Sequence, residues 1–263
     1  MLNIKGLEKT FNRGTPDERK VLRGIDLHLE EGEFVTMVGG NGAGKTTLFN
    51  AISGAVLPDG GRVELGEYNI TYWPEHRRAA YIGRIFQDPL KGTAPNLTVE
   101  ENLAIAYMRS TGKGALRRLS KKEKTFLREK LVELNLGLED RINTKIGLLS
   151  GGQRQAVTLV MATLVKPKLL LLDEHTAALD PVSAGKVMEL TNRIVGEQNI
   201  TTMMITHNIK SALQTGTRIL MLDDGAVVVD VQGAERASMT MEELLAKYSR
   251  SRQKDFDCDR TLL

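Results

Sequence analysis

Residues 39–46 read GGNGAGKT, and this segment constrains the fold more than any other part of the chain. It matches the pattern G-x-x-x-x-G-K-[ST] and lies between an apolar run typical of a strand, 34–38, and a segment typical of a helix, 46–53. Glycines let successive backbone N–H groups turn inward around an anion, and the helix dipole adds positive potential. The alternative is a plain flexible turn, but the strand–loop–helix context favours a phosphate loop. We therefore predict a bound nucleoside triphosphate, with Lys45 reaching its β and γ phosphates and the Thr46 hydroxyl able to ligate Mg²⁺.

Composition excludes several classes of protein. The chain has 263 residues, 41% of them hydrophobic, with 36 Lys and Arg against 33 Asp and Glu, and a net charge of +3 is too small to imply a polyanionic partner. The single cysteine, Cys258, cannot form an internal disulfide, which favours a reducing compartment. The first residues lack the pattern of a signal peptide. The most apolar stretch, 156–172, is interrupted by Lys166-Pro167-Lys168 and falls short of the ~20 apolar residues of a spanning helix. We expect a cytosolic chain.

Hydrophobic patterning predicts an α/β fold of parallel βα units with a helical insertion. Strands are expected at 25–29, 34–38, 62–65, 70–73, 81–86, 169–172, 200–205, 219–222 and 227–231, the last two forming a hairpin. Helices are expected at 46–53, from Thr98 to about Arg109, after Ser120, after Asp180-Pro181 and at 209–213. The small, polar segment 110–114 is expected to be a mobile loop.

Two carboxylates, Asp173 and Glu174, end the apolar run LLLL at 169–172. In sheets of this kind ligands gather at the carboxyl ends of the strands, so Asp173 is a candidate Mg²⁺ ligand. Glu174 is a candidate general base that polarises an attacking water. Acidic pairs are common at strand ends, so this pair indicates a catalytic site only in combination with the other motifs.

The segment Leu149-Ser150-Gly151-Gly152-Gln153 predicts a second helix N-terminus that can bind an anion. Ser150 is the expected cap, and Gln153 at the third helical position completes a capping box. An ordinary capping box is the alternative interpretation. One chain seldom needs two phosphate-binding helix ends, however, and a resolution is that each serves the nucleotide held by a partner chain.

In this order, GGNGAGKTT (39–47), IFQDP with Gln87, LSGGQ (149–153), LLLLDE (169–174), AALD (177–180) and ITHN with His207 resemble the motifs of ABC-type ATPase subunits. The resemblance covers about residues 2–245. It implies a P-loop NTPase fold with a RecA-like core, an N-terminal antiparallel β-subdomain and an inserted α-helical subdomain. On that basis we expect the core at 1–87 and 166–245, the helical subdomain at 88–165 and a polar C-terminal tail at 246–263.

The resemblance also implies roles for individual residues. It assigns ATP phosphates to Gly39, Asn41, Gly42, Ala43, Gly44, Lys45, Thr46 and Thr47, and Mg²⁺ with its water to Thr46, Gln87 and Asp173. It implies that Glu174 is the base, that His207 contacts the γ-phosphate, and that Gln87 and Lys45 join them in catalysis. The residues implied to act on the nucleotide of the partner chain are Ser150, Gly151, Gly152 and Gln153, with Asp180 at the interface.

Three residues leave alternatives open. Phe11 lies where the family usually places an aromatic that stacks on adenine, but a single Phe near a strand end is as often part of the core. His207, considered alone, could be a structural histidine. His175 departs from the family pattern, which most often has Pro after the catalytic acid, and it is either a tolerated turn residue or one that affects turnover.

The resemblance implies a head-to-tail homodimer with two ATP molecules at its interface. An ATPase of this size has no evident place for a transported substrate, and the resemblance implies that the dimer drives a membrane permease. We expect a bacterial importer ATPase, most similar to the tryptophan and tyrosine type, at the cytoplasmic face of the membrane and supplied by an extracytoplasmic substrate-binding protein. The alternatives are the ATPase of an exporter and a soluble ABC protein. The basic segment 117–130 carries seven Lys or Arg and two Glu. It could face anionic lipid or form a solvated helix face, and the absence of interleaved aromatics argues against nucleic acid.

Overall fold

A computed structural model describes residues 1–112 and 118–260, with the backbone alone for 252–260. Residue contacts divide the chain into two compact units. The first consists of Met1–Pro74 together with the chain from Thr201 onward, and the second is Glu75–Ile200. The second unit therefore contains the whole segment 88–165 for which helices are expected, together with the strands and helices that flank it.

The elements follow one another as alternating strands and helices. The strands are β1 (Leu2–Phe11), β2 (Arg19–Leu29), β3 (Phe34–Gly39), β4 (Gly60–Leu65), β5 (Tyr68–Asn69), β6 (Ile82–Ile85), β7 (Leu169–Asp173), β8 (Thr202–Ile205), β9 (Arg218–Asp223) and β10 (Ala226–Gln232). The α-helices are α1 (Lys45–Ser53), α2 (Glu75–Arg78), α3 (Val99–Thr111), α4 (Lys121–Val132), α5 (Gly151–Thr163), α6 (Pro181–Gln198), α7 (Ile209–Gln214), α8 (Gly233–Ser238) and α9 (Met241–Arg260). Short 3₁₀ helices lie at Pro89–Gly92 and Ile146–Leu148.

An antiparallel sheet in the first unit has the strand order β2-β1-β4-β5. Leu2 of β1 lies opposite Leu29 of β2 and Leu65 of β4. All three side chains are buried, as are Ile25 and Leu27 of β2. The alternation of apolar and polar residues in β2 therefore produces one buried face, as the sequence predicts.

A second set of strands in the first unit has the order β10-β9-β3-β8. β3 pairs in parallel with both β8 and β9, so that Thr36 lies beside Met204 and Ile219. Residues 34–38 are all buried, which explains why the run is apolar rather than alternating. The predicted hairpin is present, with β9 and β10 joined through Asp224 and Gly225. The segments that follow β3 and β8 leave the same edge of this sheet.

The second unit pairs β6 with β7 in parallel, with Ile85 beside Leu172, and all of β7 is buried. Helix α5 packs against α3, α4 and α6. Leu127 and Leu131, one helical turn apart on the inner face of α4, are fully buried. The carboxyl ends of β6 and β7 therefore lie at one edge, and the helical core of this unit supports them.

The helix starts expected at Thr98 and Ser120 are confirmed, and each helix begins with a capping box. In the first, the Glu101 N–H donates to the Thr98 hydroxyl at 3.2 Å, while the Thr98 N–H donates to the Glu101 carboxylate at 2.7 Å. Ser120 and Glu123 make the same reciprocal pair at the start of α4. These spacings identify helix starts because both partners lie within one turn.

The strand expected at 70–73 is displaced towards the N-terminus, and β5 is Tyr68–Asn69 instead. The Thr71 hydroxyl accepts a hydrogen bond from the Val63 N–H at 2.9 Å, so a side chain takes the place of a strand carbonyl. The Trp73 N–H then donates to the Ile70 carbonyl and closes a turn. Local bonding by a threonine hydroxyl thus ends the pairing earlier than the apolar pattern indicates.

The prediction of a loop at 110–114 is wrong for residues 110 and 111, which are helical. Ser110 and Thr111 belong to α3, and their hydroxyls donate to the Ala106 and Tyr107 carbonyls one turn earlier. The helix ends at Gly112, which has a φ of +67°. Residues 113 and 114 lie outside the described residues.

The C-terminal part of the chain contains more regular structure than the sequence predicts. Helix α9 continues from Met241 to Arg260, through most of the segment expected to be a polar tail. Leu244 is fully buried, and the Tyr248 hydroxyl donates to the Asp223 carboxylate at 3.0 Å. These two contacts attach the first turns of α9 to the strand β9.

The basic segment 117–130 begins at Arg117, which lies outside the described residues. Further along, Lys124 pairs with Glu100, Arg128 lies 3.5 Å from Asp140, and Lys130 lies 2.7 Å from Glu133. These acidic partners offset part of the positive charge, which favours a solvated helix face over a lipid-binding one.

Candidate active site

The phosphate loop joins β3 to α1 in the first unit. Gly39, Gly42 and Gly44 have φ values of +157°, +82° and +102°, which residues with a side chain rarely adopt. Gly44 is the N-cap of α1, so no cap side chain bonds the first N–H groups of the helix. A helix end of this kind offers N–H groups and the positive end of a dipole to a phosphate.

Close packing against neighbouring backbone requires glycine at two of these positions. A Cβ atom at Gly39 would lie 2.3 Å from a backbone oxygen of β9, and one at Gly44 would lie 2.9 Å from the Val21 carbonyl oxygen. The turn between β9 and β10 also touches the loop, because the Gly225 N–H donates to the Ala43 carbonyl at 3.1 Å. Other elements of the same unit therefore hold the loop in shape.

Lys45 lies inside the phosphate loop. Its ammonium donates to the Gly39 and Gly40 carbonyls at 2.8 and 2.9 Å, and the residue is only 6% exposed. The ammonium is therefore held at the loop, where it can interact with a bound phosphate. Thr46 follows in the first turn of α1 and is exposed, as a hydroxyl that ligates a metal must be.

Phe11 is the last residue of β1, and it is half-buried. The Lys9 ammonium lies 5.5 Å from its ring centroid. Its partner in the β1–β2 pair is Arg19, whose guanidinium approaches the Gly42 carbonyl at 3.5 Å. The structure thus brings the end of this strand pair to the phosphate loop, which is consistent with either interpretation of Phe11.

His207 lies just beyond the carboxyl end of β8 and is exposed. β8 is the neighbour of β3, and the Thr206 N–H donates to the Met37 carbonyl at 3.1 Å. His207 and the phosphate loop therefore follow adjacent parallel strands at the same edge of the first unit. The preceding strand and Asn208, which caps α7, fix the backbone on both sides of His207.

Asp173 ends β7 in the second unit and is 8% exposed. The Arg84 guanidinium, on the neighbouring strand β6, lies 3.5 Å from its carboxylate, and both side chains are about nine-tenths buried. Burial lowers the pKa of Arg84, while the Asp173 carboxylate opposes that shift. The pair places a cation beside the carboxylate that the sequence predicts to hold Mg²⁺.

Glu174 has a φ of +49°, the left-handed region that residues with a Cβ seldom occupy. The Ala177 N–H donates to its carbonyl at 2.9 Å and closes the turn. His175 is fully buried, and its Nε2 lies 3.1 Å from the Thr191 hydroxyl on α6. Burial lowers the pKa of His175 to about 4, so the imidazole is neutral at physiological pH.

Gln87 is exposed, two residues beyond the end of β6. Because β6 and β7 are parallel, Gln87 and Asp173 leave the same edge of the second unit. The following residue, Asp88, caps the 3₁₀ helix at Pro89–Gly92 by accepting from the Leu90 N–H at 2.9 Å. The predicted partners Gln87 and Asp173 are therefore brought to one edge.

The predicted helix start at Ser150 is present. The Ser150 hydroxyl accepts from the Gln153 N–H, and the Gln153 side chain accepts from the Ser150 N–H, both at 3.3 Å. The Arg141 guanidinium donates to the same Gln153 oxygen at 3.0 Å. Ser150 and Gly151 are exposed, and a Cβ at Gly152 would lie 2.9 Å from the Ser183 side chain. This helix end is preorganised and open to solvent.

Asp180 caps α6, with its carboxylate accepting from the Ser183 N–H at 3.0 Å. Hydrogen bonds from Ser183 hold the pKa of Asp180 below its usual value. Pro181 occupies the first helical position, as predicted. The exposed carboxylate is therefore ionised and fixed in direction beside the start of α5, which packs on α6.

Sequence reasoning missed three residues at these sites, namely Arg19, Arg84 and Thr191. Arg19 could have been found as the cross-strand neighbour of Phe11 once the hairpin register is known. Arg84 is the one charged residue of the strand predicted at 81–86, three residues before Gln87. A charge in such a strand is the signal that could have identified it. Thr191 shows no signal, because helical threonines are common and its partner is sixteen residues away.

The donor groups fit Mg²⁺, since the candidate ligands are a hydroxyl, a carboxylate and an amide oxygen. Among the described residues there is no cluster of three or more His, Cys, Asp or Glu side chains that could hold a metal. Mg²⁺ is commonly bound by one or two protein oxygens together with substrate phosphates and water, so the sparse donor set suits it.

Comparison with known proteins identifies the family. The family model described as ABC transporter matches residues 22–177, a span that includes the phosphate loop, the 149–153 segment and Asp173 with Glu174. The chain belongs to the ABC transporter family. It is an ABC-type ATPase, and the predicted enzyme class, ATP hydrolase, is confirmed.

Relatives extend this ABC-type assignment over most of the chain. The tyrosine transport ATP-binding protein of Clostridioides difficile is 45% identical over 94% of this chain and 98% of the relative. The lipoprotein-releasing system ATP-binding protein LolD 1 of Caulobacter vibrioides is 34% identical over 88% and 96%. A solved dimeric ATP-binding cassette in a post-hydrolysis state, bound to ADP and Pi, has 31% identity and a TM-score of 0.74, covering 88% of this chain and 98% of that one. The predicted fold class, a P-loop NTPase with an antiparallel N-terminal sheet, is confirmed.

Proposed function

We propose that this ABC ATPase energises a bacterial importer by ATP-driven, head-to-tail dimerisation of two copies of the chain. The observation that supports the proposal most strongly is the presence of two preorganised helix ends in one chain, one beginning after Gly44 and one beginning after Ser150. Each can bind phosphate. In a head-to-tail dimer the phosphate loop of one subunit faces the 149–153 segment of the other, and two ATP molecules fill the interface.

In this proposal the phosphate loop binds the β and γ phosphates of ATP. Lys45 exchanges its two loop carbonyls for phosphate oxygens, and the loop N–H groups from Gly39 to Thr47 line the anion. The Phe11 ring stacks on adenine. Three observations support these roles. Lys45 is buried, Gly39 and Gly44 stand where a side chain would clash with neighbouring backbone, and the end of the β1–β2 pair lies near Gly42.

Catalysis is assigned to Glu174 as the general base that takes a proton from the attacking water. Thr46, Asp173 and Gln87 would hold Mg²⁺ and the water, and His207 would donate to the γ-phosphate. When bound, Mg²⁺ neutralises charge on the β and γ phosphates. The Ser150 hydroxyl and the N–H groups of Gly151, Gly152 and Gln153 bind the γ-phosphate of the partner's ATP, with Asp180 at the interface.

The proposed partner is an integral-membrane permease, with an extracytoplasmic substrate-binding protein delivering the substrate. Among the described residues, no helix has the length and hydropathy that a membrane span requires. We propose that the chain is a peripheral subunit held at the cytoplasmic face by its permease.

Import of an aromatic amino acid is supported by 45% identity to a relative named for tyrosine transport. The second candidate is the ATPase of an exporter-type system, which the similarity to a lipoprotein-releasing relative favours. Purification from the native membrane, followed by identification of the permease that accompanies the chain, separates the two. Recovery of a permease without any associated substrate-binding protein would contradict import.

The nucleotide assignments are tested by two substitutions. Glu174→Gln should nearly abolish hydrolysis while ATP binding and the nucleotide-bound dimer persist, whereas Glu189→Gln, at an exposed position of α6, should hydrolyse ATP at the wild-type rate. Lys45→Ala should weaken ATP binding, measured by titration calorimetry. Wild-type hydrolysis by the Glu174 variant, or unchanged affinity of the Lys45 variant, would remove the corresponding assignment.

A further inference from the structure

The turn after β7 holds Glu174 in an unusual backbone conformation, and His175, which follows it, is buried. Glu174 has a φ of +49°, so the direction of its carboxylate depends on what keeps this turn in place. Non-glycine residues persist in the left-handed region only where surrounding contacts fix them. The contact from Ala177 N–H to the Glu174 carbonyl closes the turn itself, but it does not attach the turn to another element.

His175 attaches the turn to α6 through a chain of two hydrogen bonds. The Thr191 hydroxyl lies 2.8 Å from the Val187 carbonyl, which can only accept, so the hydroxyl proton points there. The hydroxyl oxygen therefore accepts from His175 Nε2–H at 3.1 Å, so Nε2 carries a proton. The turn is thereby tied to the middle of α6, a helix of 18 residues.

Filling space alone does not account for a histidine here. Both side chains of the pair are almost completely buried, His175 at 2% and Thr191 at 0% exposure, and an unpaired polar group at such a place is costly. A proline at this position would stiffen the backbone but could not bond to α6. The histidine instead attaches the turn to α6 by a specific side-chain contact.

We propose that His175 and Thr191 are positioning residues that orient the Glu174 carboxylate for ATP hydrolysis. The inference rests on the proposed role of Glu174 as the base. A small misplacement of a catalytic group can lower turnover by large factors without affecting substrate binding. Loss of either partner should therefore lower kcat and leave the KM for ATP unchanged.

The test compares His175→Ala and Thr191→Val with the matched control Thr163→Val. Thr163 is also buried on a helix, and its hydroxyl also donates to the carbonyl one turn earlier, that of Leu159, at 2.8 Å. We expect kcat to fall about tenfold in each of the first two variants, with no further loss in the double variant because the pair acts as a unit. The Thr163 variant should keep the wild-type kcat.

Conservative variants separate positioning from packing. His175→Gln keeps an N–H donor at a similar distance, and Thr191→Ser keeps the hydroxyl, so both should retain most of the wild-type kcat. Thr191→Val is nearly isosteric and keeps the test available if His175→Ala does not fold. The inference is overturned if Thr191→Val turns over ATP at the wild-type rate, if Thr163→Val loses as much, or if KM rises while kcat stays constant.

Failure of this inference can be told apart from failure of the proposed function. If Glu174→Gln abolishes hydrolysis while His175→Ala and Thr191→Val have the wild-type kcat, only the positioning role is wrong. If Glu174→Gln hydrolyses ATP at the wild-type rate, the assignment of the base is wrong, and the positioning role is overturned with it.

Discussion

The turn between β9 and β10 supports the phosphate loop, and Gly225→Ala tests that support. Gly225 has a φ of +79°, and a Cβ there would lie 2.4 Å from the Val21 carbonyl oxygen. Its N–H donates to the Ala43 carbonyl at 3.1 Å, and its carbonyl accepts from the Arg23 N–H at 3.0 Å. The turn is therefore packed between the loop and β2, with no room for a methyl group.

The structure gives the size of the effect. Alanine in the left-handed region costs about 1 kcal/mol. Ordinary contact begins at 3.4 Å, so the turn must also retreat by 1.0 Å from Val21 (3.4 − 2.4). That shift weakens two hydrogen bonds worth about 1 kcal/mol each, so Gly225→Ala should lower the free energy of unfolding by about 3 kcal/mol.

Gly233→Ala is the matched control at the other end of the same strand. Gly233 has a φ of +61°, and a Cβ there meets nothing within 4 Å, so the expected loss is only the conformational cost of about 1 kcal/mol. Denaturant unfolding measures both losses, and nucleotide titration measures ATP affinity. Gly225→Ala should weaken ATP binding at least about tenfold, whereas Gly233→Ala should not. Equal stability and equal ATP affinity in the two variants would refute the reasoning.

Two further predictions concern charge. Arg84→Gln leaves Asp173 without its buried cation and should lower the free energy of unfolding in Mg²⁺-free buffer by about 3 kcal/mol; Arg62→Gln, which breaks an exposed ion pair, should cost less than about 1 kcal/mol. The Glu101 carboxylate accepts from the Thr98 N–H and hydroxyl, which lowers its pKa. Its stabilising effect is therefore present above the usual glutamate pKa and is lost as the pH falls through the folded value, and NMR titration should place its midpoint below that of a model peptide.

Much of the fold and of the candidate site could be predicted because the determinants are local in sequence. The phosphate loop needs glycines at fixed spacing, and the capping pairs Thr98–Glu101 and Ser150–Gln153 lie within single turns. The uninterrupted apolar run of β7 predicts a strand buried on both faces. In each case the residues that determine the structure are neighbours in the chain, so spacing alone identifies them.

The rest depends on contacts between distant residues. Arg84 meets Asp173 only because β6 and β7 are adjacent, and His175 meets Thr191 only because α6 packs beside the turn. The apolar pattern also predicts a strand at 70–73, but the Thr71 hydroxyl accepts from the Val63 N–H and the strand pairing ends earlier. The docking of α9 likewise depends on distant contacts, through the burial of Leu244 and the bond from Tyr248 to Asp223.

Mixing two inactive variants tests the central claim, a head-to-tail dimer of this ABC ATPase, most directly. Lys45→Ala disables the phosphate loop, and Ser150→Arg blocks the second helix end, so each variant alone should hydrolyse no ATP. A mixed dimer contains one intact composite site, and random mixing in equal amounts should restore about a quarter of the wild-type activity. No recovery at any mixing ratio, with both variants folded and able to dimerise, would contradict the account.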